Sequence, residues 1–296
     1  MRLFIFFFAA LLFGQSTGTV RDNGVTIQYE QSLRAVAEEV ARLYPEVRSG
    51  LERTFGITIA FEPTVLLIKD RENFRQLVGN DLVVAVAIPQ DSLIVIDNSR
   101  MKTHPFTMEV TLKHELCHLL LYHYVGGKGL PRWLNEGIAQ WVTGGVSELM
   151  GEDKDLLKQA SISGRFIPLE DLKDTFPSSS QPLQLAYQES RSVTGYIVSK
   201  FGQEGMLRIL DALRDGRGID LAVQEALSLS LGEMESNWQD FLRTRYTWFT
   251  YMSSHLFEII FAFGAIVLIY GFVRFLIIKR NYKDEEQSID DESPPH

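Results

Sequence analysis

The sequence predicts an α+β fold, in which a small sheet and a motif-bearing helix precede a helical portion and one C-terminal transmembrane helix. Three observations support this prediction. Short runs rich in β-branched residues, such as 25–29 and 65–68, indicate strands early in the chain. A helical pattern then covers 106–124. The segments that follow Gly144 and Gly145 show helical spacing and no strand pattern.

The remaining elements follow from the same two periodicities. A helical spacing covers 32–55, and the helix predicted over 70–77 has Asp70 as its cap. Further strands are predicted over 57–61, 83–88 and 93–96. A helix is predicted over 131–142, just before the glycine pair. After the pair, helices are predicted over 147–162, 168–175, 183–201, 204–215, 219–228 and 232–247.

These patterns divide the chain into five predicted parts. In chain order they are a signal peptide, an α+β portion with the motif helices, a helical subdomain, a transmembrane helix and an acidic cytoplasmic tail. Their predicted bounds are 1–18, 19–146, 147–248, 255–278 and 279–296.

The N-terminus has the pattern of a signal peptide. After Arg2, residues 3–13 contain no polar side chain, and mostly small residues follow. Cleavage is predicted before Thr19, and an uncleaved anchor is the alternative. The chain outside the cytoplasm would then lie in the periplasm or the extracellular space.

The segment 255–278 predicts a single membrane span. It is apolar except for Glu258 and Arg274, which could reach the interface, and aromatic residues precede it. Basic residues follow it, so we expect the C-terminus in the cytoplasm and the protein in the cell membrane.

Charge and cysteine content exclude some classes of protein. The net charge is −9 and no basic stretch lies in the body of the chain, so we expect no nucleic-acid partner. Cys117 is the one cysteine, so no disulfide can form within the chain, and it reads as a small core residue. The sequence leaves the oligomeric state open.

The string His114-Glu115-Leu116-Cys117-His118 carries the predicted chemistry. Two histidines four residues apart on a helix lie on one face, so both can reach one metal ion. Glu115 projects about 100° round the helix and is placed to act as a general base rather than a ligand. The neighbouring positions are mostly apolar, and buried histidines need a partner, which favours Zn²⁺.

Glu136 is the candidate for the third zinc ligand. It lies among apolar residues on a short predicted helix, and the glycines at 126–129 allow that helix to fold back on the first. A carboxylate buried among such residues is costly unless it is paired or ligated. The alternative is an exposed glutamate on the helix surface.

The strings HELCH and LPRWLNEGIAQWV resemble the gluzincins, the thermolysin-like peptidase MA-like metalloproteases. The resemblance extends over roughly residues 25–247. It implies that His114, His118 and Glu136 bind zinc and that Glu115 is the base. It also favours Tyr187 over Tyr196 as a catalytic oxyanion donor, although both could be packing residues.

Two departures from the gluzincin pattern bear on the reaction. Glu136 follows His118 by 18 residues, one fewer than is usual in the aminopeptidase branch. The Gly-x-Met-Glu-Asn motif of that branch is also absent, and the strand before the motif helix reads Ser92 to Asp97 instead. We therefore expect an endopeptidase, with the strand Leu93 to Asp97 at the sheet edge to pair with an extended substrate.

The sequence thus predicts a membrane-anchored zinc metallopeptidase that hydrolyses extracytoplasmic proteins or peptides. The alternative is a non-catalytic, membrane-tethered domain that binds zinc or a partner. A zinc hydrolase with a substrate other than a peptide also stays open. The retention of Glu115 favours the enzyme, because a domain that has lost catalysis does not need the base.

Overall fold

The computed structural model describes residues 17–101, 106–127, 129–145, 156–254 and 256–291. Within these residues the N-terminal part is built on one five-stranded sheet. Its strands are β1 (Thr17–Asp22), β2 (Val25–Glu30), β3 (Thr64–Ile68), β4 (Ala85–Ile88) and β5 (Leu93–Asp97).

The sheet is mixed, with the spatial order β1-β2-β3-β5-β4. Strands β2, β3 and β5 run parallel, whereas β1 and β4 pair antiparallel with β2 and β5. The prediction that Leu93 to Asp97 forms an edge strand is wrong, because β5 lies between β3 and β4. All five residues of β5 are buried, as expected for a strand in a sheet that is covered on both faces. The edge on this side of the sheet is β4.

The strand predicted over 57–61 is also wrong. The backbone N–H of Ile59 donates to a carboxylate oxygen of Glu52 at 2.9 Å, and its carbonyl accepts from Arg48 at 2.8 Å. Both backbone groups of this residue are therefore satisfied by side chains, and the segment joins no strand of the sheet.

Two helices that precede the motif helix in the chain pack on the sheet. Helix α1 (Arg34–Phe55) ends at Gly56, whose φ is +67°. Helix α2 (Arg71–Val78) begins after Asp70, whose carboxylate accepts from the N–H of Asn73, so the predicted cap is confirmed. Pro45 lies inside α1 without ending it.

The next two helices carry the motif residues. Helix α3 (Met108–Val125) packs against α1 and β4, and helix α4 (Arg132–Val142) packs against α3. Both agree closely with the helices predicted over 106–124 and 131–142. Twelve residues of α3 are buried, on all sides of the helix, which explains why its sequence lacks a polar face.

The helical portion that follows comprises α5 (Leu156–Ser163), α6 (Ser180–Arg214), α7 (Ile219–Leu227) and α8 (Leu231–Ser254). Helix α6 is interrupted at Gly202, where φ is +70° and ψ is 174°, between the two helices predicted there. The predicted boundary between residues 146 and 147 and the start of the helix predicted over 147–162 fall outside the described residues.

The helix predicted over 168–175 is wrong. This segment forms turns whose backbone groups bind neighbouring elements. The N–H of Leu169 donates to Glu235, and the carbonyls of Leu172 and Lys173 accept from the start of α4. The hydrogen bonds within the segment run from the N–H groups of Asp171, Leu172 and Lys173 to the carbonyls three residues earlier, which gives turns rather than an α-helix.

The chain divides into two compact units, Met1–Phe241 and Leu242–His296. The second contains α9 (Leu256–Asp291). No helix in the described ranges is apolar over enough length to cross a membrane, so the predicted transmembrane helix over 255–278 is wrong. Residues 259–273, between Glu258 and Arg274, are the uncharged core. Fifteen residues of helix rise about 22 Å, less than the roughly 30 Å of a bilayer's hydrocarbon core.

The predicted signal peptide lies mostly in residues 1–16, outside the part that the structure describes. Its last two residues, Thr17 and Gly18, belong to β1, where they pair with Glu30 and Tyr29. The predicted cleavage before Thr19 would therefore shorten β1 by two residues. The acidic tail of 279–296 is described only to residue 291, where it continues α9.

Candidate metal centre

Helix α3 places both motif histidines in the interior of the protein. The helix begins at Thr107, whose hydroxyl oxygen accepts from the N–H of Val110 at 3.3 Å, and ends at Gly126 in the left-handed conformation. His114 and His118 lie one turn apart, with ring centroids separated by 4.8 Å. The exposed fraction of each residue is small, 3% and 6%.

A turn rich in glycine brings the third candidate ligand to these histidines. Gly126, Gly127 and Gly129 all have positive φ, which reverses the chain between α3 and α4. The N–H groups of Arg132 and Trp133 at the start of α4 donate to the carbonyls of Lys173 and Leu172, at 2.7 and 3.1 Å. Helix α4 is thereby fixed at its first turn, and Glu136 follows one turn later.

The carboxylate of Glu136 faces the two imidazoles. Its Oε2 lies 3.9 Å from Nε2 of His114 and 3.7 Å from Nε2 of His118. Donor atoms of the three residues all lie within 4.8 Å of one another. Tetrahedral zinc bonds of about 2.0–2.1 Å place ligand atoms roughly 3.3 Å apart, so a small contraction would satisfy the ion.

Oε2 of Glu136 is buried and has no hydrogen-bond partner among the described residues. Such an atom is costly to bury, and a cation would compensate for it. Two imidazole nitrogens and one carboxylate oxygen are a donor set that suits Zn²⁺ and leave its fourth position open. The residues present therefore fit a zinc ion.

Asn135 orients His118 for this role. Its Oδ1 lies 3.0 Å from Nδ1 of His118, and an amide oxygen can only accept a hydrogen bond. The proton is thus on Nδ1, which leaves the lone pair of Nε2 directed at the site.

The surroundings of Glu136 have opposing effects on its ionisation. Burial raises its pKa to about 7, while the Arg132 guanidinium and a hydrogen bond from Tyr187 act in the lowering direction. Nε of Arg132 is 3.9 Å from Oε1 of Glu136, on the oxygen that does not face the histidines. A bound divalent cation would favour the carboxylate further.

Tyr187, the predicted oxyanion donor, lies on α6 with 1% of its surface exposed. It donates a hydrogen bond to Glu136, and its backbone carbonyl accepts from Gln140 at 3.1 Å. Its ring packs in an apolar cluster against Phe176. The structure thus brings Tyr187 to a predicted ligand, and its part in catalysis stays a prediction. Tyr196 lies further along α6, where it is buried and its ring packs against that of Phe241.

Glu115, the predicted base, is fully buried beside His114 on α3. Cys117 is buried as well, and burial raises the pKa of its thiol. Cys117 is not part of the cluster of possible ligands found among the described residues, which agrees with its prediction as a core residue.

Gly137 allows α4 to approach α6 closely enough to place Glu136. A Cβ atom at this position would lie 2.1 Å from Oγ1 of Thr194 and 2.3 Å from the carbonyl oxygen of Ser190. Such distances are too short for any side chain, so only glycine permits this helix crossing.

Sequence reasoning missed three residues that shape this centre, namely Arg132, Asn135 and Gly137. All three belong to the quoted string around Glu136, and each lies within four residues of it. Asn135 and Gly137, on either side of Glu136, could have indicated a partner for the site and a close helix contact. Their partners, however, are distant in sequence and became visible only in the fold.

The family of this chain follows from its match to a protein-family model. The model of the Peptidase MA superfamily matches residues 79–244, which include β4, β5 and both helices of the candidate centre. This chain belongs to the Peptidase MA superfamily. The resemblance to gluzincin peptidases is thereby confirmed, and zinc is the metal that peptidases of this kind use.

Solved structures similar to this superfamily member include Legionella pneumophila aminopeptidase A in complex with aspartic acid. It has a TM-score of 0.46 and 13% identity, over 76% of this chain and 28% of that chain. A mutant of a two-domain M1 zinc metallopeptidase bound to L-arginine has a TM-score of 0.44 and 16% identity, over 77% of this chain and 51% of the other. This chain therefore spans about a quarter of the length of the first protein and about half of the length of the second. No curated protein gives a significant match.

Proposed function

We propose that this chain is a zinc-dependent endopeptidase that hydrolyses peptide bonds in extracytoplasmic proteins or peptides. The observation that carries the proposal is the position of Glu136 Oε2, 3.9 and 3.7 Å from the Nε2 atoms of His114 and His118. Glu115 lies next to His114 on the same helix and would be the general base, the role of the glutamate in the His-Glu-x-x-His motif. The extracytoplasmic location rests on the signal pattern of the N-terminus alone.

Each residue of the site has its own role in the proposed reaction. His114, His118 and Glu136 would hold Zn²⁺, which when bound polarises a water molecule and the scissile carbonyl. Glu115 would take the proton from the attacking water and pass it to the leaving amine. Because Glu115 is fully buried, bulk water does not compete for that proton.

Strand β4 supports cleavage within an extended chain. It is the edge of the sheet next to α3, and Val86, Ala87 and Ile88 are partly exposed. An extended substrate could add to this edge by backbone hydrogen bonds, running beside the motif helix. The absence of the motif Gly-x-Met-Glu-Asn also supports an endopeptidase, since that motif holds the substrate's free amino terminus in the aminopeptidase branch.

The test is digestion of a peptide library derived from a whole proteome, with the zinc-loaded full chain and with Glu115→Gln. We expect cuts at internal bonds, far from either terminus, by the wild type only. Glu115→Gln should retain one zinc per chain and lose at least about a hundredfold in rate, the contribution typical of general acid–base catalysis.

Three results would contradict the proposal. Equal cleavage by Glu115→Gln would mean that another residue or a contaminant is responsible. A wild type that binds zinc and cuts no peptide would leave the non-catalytic zinc-binding domain as the function. Removal of single N-terminal residues would instead identify an aminopeptidase.

A further inference from the structure

The residues of the proposed reaction are almost closed to solvent. The exposed fractions are 0% for Glu115, 3% for His114 and 1% for Tyr187. Nε2 of His114, both carboxylate oxygens of Glu115 and Oε2 of Glu136 are buried as well. In the proposed reaction these atoms have to meet a metal ion, a water molecule or a peptide. The folded chain therefore has to open before a substrate can reach the centre.

Residues 174–178, which we call the lid, lie beside the centre. They connect the turns that end at Lys173 with Ser179, the residue before α6. Asp174, Thr175 and Ser178 are exposed, whereas Phe176 and Pro177 are partly buried. The lid thus directs one large apolar side chain, that of Phe176, towards the interior of the protein.

The ring of Phe176 contacts both side chains that act on Glu136. Its centroid lies 5.1 Å from that of the Tyr187 ring, in an edge-to-face arrangement, and 4.8 Å from Cζ of Arg132. Tyr187 donates a hydrogen bond to Glu136, and Nε of Arg132 lies 3.9 Å from Oε1 of Glu136. A single layer of side chains therefore separates Phe176 from the candidate metal ligand.

The same ring belongs to an apolar cluster that joins the sheet to the helical portion. The cluster contains Leu183 and Tyr187 of α6 together with buried residues of the sheet, and Phe176 packs against it. Val86 and Ile88 of β4, the proposed substrate edge, pack against this cluster too. Because one cluster holds both β4 and α6, the space that an extended substrate would enter is filled by the protein's own side chains.

Few interactions hold the lid in this position. Within the described part of the chain, no hydrogen bond involves residues 174–178. The residues just before the lid are fixed, because the carbonyls of Leu172 and Lys173 accept from the first turn of α4 and Leu172 is fully buried. The contacts of Phe176 are thus the main attachment of the lid, and segments with so few contacts open at a low cost in free energy.

We propose that residues 174–178 are an inhibitory lid: the ring of Phe176 closes the metal centre of the resting chain, and a substrate has to displace it. Displacement would separate Phe176 from Tyr187 and from the cluster at β4, the two surfaces between which the substrate would lie. As an account of substrate access, the inference rests on the proposed peptidase function. The closure of the metal centre does not depend on that function.

Zinc exchange tests the lid without turnover, because an ion also has to reach the buried centre from solvent. Two rates are measured on the full chain: zinc uptake by the metal-free protein, and zinc transfer from the loaded protein to excess chelator. Their ratio gives the dissociation constant. A lid that closes over both the empty and the occupied centre slows both rates by the same factor and leaves this constant unchanged. A residue that only supports a ligand changes the constant.

We expect Phe176→Ala to raise both zinc rates about tenfold at an unchanged dissociation constant, because the partly buried ring favours the closed state by about that factor. Phe176→Tyr keeps the ring and should retain the wild-type rates. In peptide cleavage, Phe176→Ala should lower KM and leave kcat unchanged, because the substrate no longer has to move the ring.

Phe166→Ala is the matched control. Phe166 is a partly buried phenylalanine in the same connection between α5 and α6, and its ring packs against that of Trp238 with centroids 5.3 Å apart. The substitution removes an identical side chain from an aromatic contact that includes no residue of the centre, so both zinc rates should stay at the wild-type values. Urea denaturation shows that each variant is folded. If Phe176→Ala is not, Phe176→Leu replaces it, with a smaller rise expected in both rates.

Three results on zinc exchange would overturn the inference. The first is zinc uptake that is no faster in Phe176→Ala than in the wild type. The second is faster zinc loss without faster uptake, which would make Phe176 a support of the ligands only. The third is an equal acceleration in Phe166→Ala, which would indicate a general loosening of this connection.

The role of the lid in substrate access and the proposed function fail in different ways. Faster zinc exchange with an unchanged KM for peptide cleavage would overturn the claim that a substrate displaces Phe176. Faster zinc exchange in Phe176→Ala, with the peptide library left uncut by both proteins, would confirm closure of the centre and contradict the peptidase function.

Discussion

Glu136 and Glu189 are buried carboxylates on two helices that pack together, α4 and α6, and they differ in what surrounds them. Burial raises the pKa of both, to about 7 for Glu136 and about 8 for Glu189. The oxygens of Glu189 accept from the N–H of Ile167, at 3.2 and 3.3 Å. Oε2 of Glu136 faces two imidazole nitrogens and no hydrogen-bond donor among the described residues.

This difference teaches that burial alone does not indicate a metal ligand. Glu189 holds the segment before residue 168 by its hydrogen bond from Ile167. Glu235 does the same for the next residues, because it accepts a hydrogen bond from the N–H of Leu169 at 3.1 Å. The carboxyl group of Glu189 can be neutral and still do so. Tyr187 and Arg132 act on Glu136, but its Oε2 faces the two imidazole nitrogens and has no hydrogen-bond partner among the described residues, so a cation between the three residues would stabilise that buried oxygen. Four substitutions can break or sharpen this contrast.

The largest effect is expected for Glu136→Gln against Glu189→Gln. Loss of a ligand should weaken zinc binding by more than the roughly 10–100-fold that removal of an outer partner costs. Glu189→Gln, the same chemical change on the neighbouring helix, should keep the wild-type affinity. Competition with a chromophoric chelator measures both. Equal affinities in the two variants would mean that Glu136 is not a ligand.

Tyr187→Phe separates two roles of one hydroxyl. If the hydroxyl positions Glu136, its loss should weaken zinc binding about tenfold, as expected for an outer partner, and change kcat of the zinc-saturated enzyme little. If it stabilises the oxyanion, kcat should fall about a hundredfold with unchanged zinc affinity. The hydrogen bond to Glu136 favours the first result. Chelator competition and steady-state kinetics on the same sample decide between them.

Gly137→Ala should destabilise the fold by about 1–3 kcal/mol, because the new methyl group collides with α6. The control is Gly195→Ala on α6, where a Cβ atom would meet nothing within 4 Å and helix propensity favours alanine. Urea denaturation of both variants gives the comparison. If Gly137→Ala is as stable as Gly195→Ala, the close crossing of α4 and α6 is not needed.

The smallest effect is expected for the pH dependence of Glu189→Gln. The pKa of Glu189 is about 8 in the folded chain and near 4.5 when unfolded, so the folded state binds the additional proton between these values. Its contribution to stability is fully present below pH 4.5 and is lost as the pH rises through 8.

In Glu189→Gln, the free energy of unfolding should therefore fall less than in the wild type between pH 5 and 8.5. The stability of the variant relative to the wild type should be higher at pH 8.5 than at pH 5. Urea denaturation of the metal-free proteins at both pH values measures it. Parallel pH profiles for the two proteins would contradict the assignment.

The sequence predicted the parts of the site that local patterns determine. His114, His118 and Glu115 are fixed by one helix, which its helical spacing and apolar neighbours identify. The helix that carries Glu136 and its return through the glycine turn were also predicted. Contacts such as that of Asn135 with His118 depend on how α4 folds back, and no periodicity reports them.

The incorrect elements have different physical causes. The apolar run at 57–61 has strand propensity, yet Arg48 and Glu52 bind the backbone of Ile59. The edge of the sheet depends on strand order, which a single sequence does not state. The predicted membrane span placed Glu258 and Arg274 at its ends, and the uncharged stretch between them is too short.

The central claim is that His114, His118 and Glu136 bind one zinc ion. Crystals of the full chain grown with zinc, with diffraction recorded at the zinc absorption edge, test it most directly. We expect one strong anomalous peak, about 2.0–2.2 Å from Nε2 of both histidines and from Oε2 of Glu136. A fully zinc-supplemented crystal with no peak there, or with Glu136 turned away from the ion, would contradict the claim.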